Sequence, residues 1–146
     1  MSFHFPLAAV LRYRESMEQR EHLALERLQQ EIARVEVRMR QIGEDRSTAT
    51  QALLADLARG TRAAEVQAAY EYQRALEQQH QGFETLSQEL KKKWRQQLVT
   101  YELARRNRET VEKLRQKQLD AYSREQAKRE QAVIDDLFLM RRRRGQ

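Results

Sequence analysis

The pair Glu77-x-x-His80 is where a metal-binding reading of this chain would begin. On a helix, Glu and His three residues apart share a face, and in carboxylate-bridged di-iron bundles such pairs point inward at the metals. That site needs a second copy of the pair and two further glutamates on other helices. The sequence holds one copy, and His4 and His22 supply no other, so His80 reads as a polar layer between helices and no metal is expected. There is no glycine-rich phosphate loop, no GxSxG and no HExxH. Carboxylates are plentiful, but an exposed helix face lacks the desolvation that moves a carboxyl pKa toward catalytic use. The chain therefore reads as non-enzymatic, with no catalytic residue, no cofactor and no metal.

Four other groups could recognise a partner. Lys91-Lys92-Lys93-Trp94-Arg95 combines cations with an aromatic ring, and Arg141 to Arg144 offer four consecutive guanidinium groups suited to phosphate, anionic lipid or an acidic protein surface. Val133, Ile134, Leu137, Phe138 and Leu139 make an apolar cluster just before those arginines. Tyr72, Leu76, Gln79 and Phe83 form a stripe at helical spacing, read either as core or as an aromatic patch that anchors a partner. Nucleic acid is not an expected partner, because Glu102, Glu109, Glu112, Asp120, Glu125 and Glu130 interrupt the basic residues and no basic block precedes the heptads.

The elements that must carry these groups follow from composition and period. Over 146 residues, 34% are charged and 40% hydrophobic, with no cysteine, one proline and four glycines, and the mean hydropathy is −0.94. So little apolar mass does not build an ordinary core. The missing cysteines exclude disulfides and thiolate metal sites, and the scarcity of Gly and Pro excludes a turn-rich sheet. No apolar run is long enough to span a bilayer. Phe3 to Leu11 is apolar but has no basic segment before it, so a secretory signal is not expected. The residue types are strong helix formers, and charge is nearly balanced, which favours long helices over disorder.

Leu28, Ile32, Val35, Met39 and Ile42 step by four and three, and the frame reaches Ala49 and Leu53 one way and Leu25, Leu11 and Leu7 the other. The second half keeps the same frame through Ala69, Leu76, Phe83, Leu90, Trp94, Tyr101, Ala104, Val111, Tyr122 and Leu139. This is a coiled-coil heptad. It places Trp94 in the seam and the neighbouring lysines on a solvated face. Polar residues fill many seam slots, among them Glu18, Glu21, Gln73, His80, Ser87, Gln97 and Arg108. They cost stability and set register.

One break is expected, at Arg59-Gly60-Thr61: glycine suits a helix C-cap, and Thr61 suits the next N-cap. Gly43 and Gly82 read as helical, with Gly43 as the alternative break. Pro6 can open the first helix. The expected architecture is all-α, an antiparallel two-helix coiled-coil hairpin in one domain, residues 1–146. Helix 1 would run over about 5–58, a turn over 59–61, helix 2 over about 62–139 and a basic tail over 140–146. Facing residue numbers would add to roughly 120, so helix 1 would run out opposite about residue 115 and leave the end of helix 2 projecting. Residues 1–60 hold nine basic and nine acidic side chains, whereas residues 91–146 hold 17 basic and eight acidic; the net +6 belongs to the second helix.

These residues resemble the flagellar export protein FliJ family. The opening Phe3-x-Phe5-x-Leu7-x-x-Val10-Leu11-x-x-Arg14 is similar to its N-terminal signature, Tyr72-x-x-x-Leu76 to its mid-chain motif, and Arg129-Glu130-Gln131-x-x-Ile134-Asp135-Asp136 to its C-terminal motif. The last has Asp-Asp where the family usually has Asp-Glu. The resemblance spans the chain and implies an antiparallel coiled coil at the base of the type III flagellar export apparatus, cytoplasmic and peripheral to the inner membrane. Its implied partners are the hexameric export ATPase, whose ring assembly and activity it promotes, the cytoplasmic domain of the export-gate protein FlhA, and export chaperones. Carried over by position, the gate contact falls on Tyr72, Leu76, Gln79 and Phe83; Gln79 and Phe83 depart from the small and polar types expected there. The ATPase contact is expected at Phe3, Phe5, Leu7, Ile134, Asp135, Asp136, Leu137, Phe138, Arg141 and Arg142. The competing readings are a stalk protein of a non-flagellar type III secretion system, and a basic coiled-coil scaffold that self-associates or binds nucleic acid.

Overall fold

The computed structural model describes residues 2–145, so Met1 and Gln146, the limits of the expected domain and tail, lie outside the described residues. Two helices account for nearly all of them: α1, Ala8–Arg59, and α2, Ala63–Arg144. No strand occurs among the described residues. The chain is an all-α hairpin in which the two long helices pack against each other as a coiled coil.

Backbone contacts group the chain into two units, one made of residues 21–101 and one made of 1–20 with 102–146. In the first, helices run antiparallel: Arg46 pairs with Glu77 at 2.5 Å, Gln73 Nε2 donates to Thr50 Oγ1 at 3.2 Å, and Lys91 lies 3.5 Å from Glu36. The heptad residues form its core. Leu25, Val35, Ile42 and Leu53 of α1 are buried with Leu76, Ser87 and Leu90 of α2. Ile42, only 2% exposed, is the most enclosed of the apolar ones. Two helices cover only one stripe of each other, so most seam residues stay half-buried. The apolar stripe still removes enough surface from water to hold helices that propensity alone would leave marginal.

The turn forms where glycine allows it. α1 ends at Arg59, and Gly60 takes the left-handed conformation, φ 81°, which only glycine adopts at little cost. Thr61 does not cap α2 as the sequence suggests. The Arg62 carbonyl accepts the first helical bonds, from Glu65 at 3.0 Å and Val66 at 3.2 Å. The Thr61 hydroxyl instead donates to the Glu65 carboxylate, which lies in the first turn where the helix dipole favours it. Gly43 and Gly82 lie inside the helices.

In the other unit, α1 begins at Ala8 rather than near residue 5. The residue before a proline is pushed out of the helical region, so Phe5 stays extended and Pro6 and Leu7 turn into the helix, with Ala8 N donating to Phe5 O at 3.1 Å. Phe5 is buried, and the Phe3 ring lies 5.6 Å from that of Tyr122. α1 and its leading segment thus reach residue 122, not 115. An extended residue covers about 3.3 Å against 1.5 Å in a helix, so the few residues before α1 reach farther along α2 than helical ones would. Residues 127–145 are exposed throughout. α2 also continues beyond the expected 139: Arg141 to Arg144 are helical. Cations at a helix C-terminus meet the negative end of its dipole, which favours keeping that last turn wound.

Among the described residues no helix is long and apolar enough to cross a membrane.

Candidate functional site

Polar seam slots find cross-helix partners, which accounts for residues that composition alone would place in solvent. Gln97 Nε2 donates to the Glu21 carbonyl at 3.0 Å and to its carboxylate at 2.6 Å. His22 stacks near Tyr101, ring centroids 5.5 Å apart, and its Nε2 lies 2.9 Å from Glu26. In the other unit Arg108 bridges Glu18 of α1 and Glu112 of its own helix, with Glu109 at 3.9 Å. The hydrogen bond that Arg108 donates to the Glu18 carboxylate holds the guanidinium above its ordinary pKa, against the opposing effect of burial. The arginine is therefore cationic at every pH the fold would meet. Glu77, the acid of the metal-like pair, is engaged by Arg46, and His80 lies 4.0 Å from Glu84. Trp94 lies half-buried in the seam, beside a shallow groove lined by Gln29, Ile32, Lys91 and Arg95. Its indole Nε1 is buried without a protein acceptor.

The mid-chain stripe divides between core and surface. Leu76 is 5% exposed and belongs to the core, whereas Tyr72 is 52% exposed, with Tyr70 as exposed beside it. Gln79 faces solvent and Phe83 is half-buried, its ring under the Arg38 guanidinium at 5.9 Å. What a partner could reach first here is Tyr72, Tyr70 and Gln79. Tyr70 has no place in the heptad frame and enters only as the second aromatic of the mid-chain motif.

The residues assigned to the ring contact fall into two groups that the fold does not bring together. The Phe3 ring lies against Tyr122 of α2, Phe5 is buried, and Leu7 is partly exposed. Ile134 lies twelve residues beyond Tyr122, about 18 Å along the helix. There Ile134, Leu137 and Phe138 line an open groove with Met140, Arg141 and Arg144, and Phe138 is 66% exposed. Met140 is the lining residue that the sequence reading did not single out; Met140 and Arg144 stand three and seven residues from Leu137, which puts them on its face. Asp135, Asp136 and Arg142 are exposed outside this groove, and Asp135 accepts from Gln131 at 2.9 Å. Among the described residues no group of acids and histidines could hold a metal ion.

An antiparallel helical pair whose seam is partly polar, with bare apolar and cationic surface at one helix end, defines a coiled-coil hairpin protein. A family model described as Flagellar FliJ protein matches residues 3–146. The chain belongs to this family, whose members are non-catalytic components of the flagellar protein export apparatus. Searches of curated proteins and of solved structures return no match.

Proposed function

We propose that this chain is a non-enzymatic stalk of the flagellar export apparatus that binds the export ATPase ring, promotes its assembly and turnover, and links it to the cytoplasmic domain of the export gate FlhA and to export chaperones. It would act on the cytoplasmic side of the inner membrane, touching the bilayer only peripherally. The observation that carries this reading is the bare end of α2: residues 127–145 are exposed, and among the described residues nothing covers Ile134, Leu137 and Phe138 there. Exposed apolar clusters of this kind mark interaction sites. A helix end of this shape and charge suits a ring pore, and it would act by binding the ring's conformational states unequally.

Removing residues 130–146 should abolish stimulation of the cognate ATPase while leaving helicity by circular dichroism in place over the remaining chain. Stimulation at the full level would refute the ring contact. The gate contact is assigned to the stripe at Tyr72, Leu76, Gln79 and Phe83, with Tyr72 as its exposed anchor. Tyr72→Ala should weaken binding to the gate's soluble domain by about tenfold, the usual cost of an interface aromatic, without shifting the melting temperature.

A further inference from the structure

The exposed end of α2 is complementary to itself. Helical spacing puts Val133, Ile134, Leu137 and Phe138 on one face, with Glu130 entering that face from one side and Arg141 and Arg144 closing it at the other. Two adjoining grooves trace it, one lined by Arg129, Glu130, Val133 and Ile134 and one by Ile134, Leu137, Phe138, Met140, Arg141 and Arg144. Among the described residues neither Glu130 nor any of Arg141 to Arg144 makes an ion pair.

From these observations we infer that this face pairs with the same face of a second copy, antiparallel, about a two-fold axis at Leu137. Glu130 lies seven residues before Leu137 and Arg144 seven residues after it. Seven residues are close to two helical turns, so both stay on the pairing face. In the antiparallel pair Glu130 of each copy meets Arg144 of the other, Ile134 meets Met140, Val133 lies along the Arg141 stem, and Leu137 meets its own equivalent. Such an isologous arrangement satisfies every contact twice and closes at two copies.

The charge order favours this occupant over a lipid surface. An interfacial helix keeps acids off its apolar face, and here Glu130 sits on it. In a self-pair that acid is matched by an arginine. The contact is small, a few helical turns, well below the area of a stable dimer, so the dimer forms in the micromolar range and above and gives way to larger partners. The inference does not depend on the ring contact, because self-association is measured with no ATPase present.

The test is sedimentation velocity of the full chain from low micromolar to hundreds of micromolar. The weight-average mass should rise from 17.5 kDa toward twice that value. Glu130→Arg and Arg144→Glu should each weaken self-association by about tenfold, because two pairs turn repulsive at once. The double exchange, Glu130→Arg with Arg144→Glu, should restore it. Both positions of exchange are on exposed helix, so circular dichroism should be unchanged. A mass that stays at 17.5 kDa throughout, or a double exchange that fails to recover the dimer, overturns the proposal. Capture of the monomer on phosphatidylglycerol vesicles without any dimer in solution overturns it in favour of lipid.

Discussion

The unit of residues 21–101 and the unit of residues 1–20 with 102–146 use one heptad frame for different ends. In the first, the seam is held by Leu25, Val35, Ile42, Leu53, Leu76 and Leu90, all buried. Its polar partners, Arg46 with Glu77 and Thr50 with Gln73, lie at the flanks and half-exposed seam slots. In the second, Phe5 is the only buried apolar side chain among the described residues, and the seam is bridged by Glu18 and Arg108. Beyond residue 126 every described side chain is exposed, including Leu139, which the heptad frame places in the seam but which has no facing helix to cover it. Apolar burial, at about 25 cal/mol per Å², stabilises the first unit without specifying much beyond register. A paired charge layer contributes less net energy, since desolvation offsets most of its Coulomb gain, but it tolerates few alternative partners. The same chain thus devotes one region to holding two helices together and leaves the other open to additional contacts.

The comparison can be broken most severely at Ile42. Ile42→Ala removes the most enclosed apolar side chain and should lower stability by about 2–5 kcal/mol, read as a drop in the melting temperature or urea midpoint. A loss below this range would mean that the apolar seam is not what holds the first unit. At the charge layer the expected effect is smaller. Glu18→Ala leaves Arg108 with Glu112 and should cost about 1–2 kcal/mol, while replacing Glu18 and Arg108 together by leucine should be neutral or stabilising. Restored or raised stability in the double variant would sharpen the distinction between a layer kept for specificity and one kept for strength. Because Arg108 is held above its ordinary pKa, its contribution is complete below the unfolded-state value and lost only at pH above the folded one. The effect of the pair on the melting temperature should therefore not fade from the arginine side at neutral or mildly alkaline pH. The smallest change is at Gly82, a helical glycine with open space where a Cβ would stand. Gly82→Ala should raise stability by about 0.5–1 kcal/mol, checked by the same melts. A destabilised variant would show that the glycine serves a close approach to some other molecule.

Much of this architecture was legible because a heptad is a local rule. Leu25, Val35, Ile42, Leu53, Leu76 and Leu90 all fall in the seam frame by spacing alone, and Gly60 marks the turn because a left-handed residue is costly for anything else. The interaction surfaces were less legible. Tyr72 and Leu76 look alike on a helical projection, yet one is exposed and the other core. Exposure depends on which side of the seam the partner helix occupies, and no single helix carries that information.

The sequence by itself determined two long helices, their heptad seam, the glycine turn and a charge excess concentrated on the second helix, because each follows from spacing and residue type within one segment. Only the tertiary structure decided the register that sets Phe3 against Tyr122, the pairing of Glu18 with Arg108, and therefore where α2 loses its partner. Those outcomes depend on packing between residues 90 or more positions apart, which no spacing rule within one helix encodes.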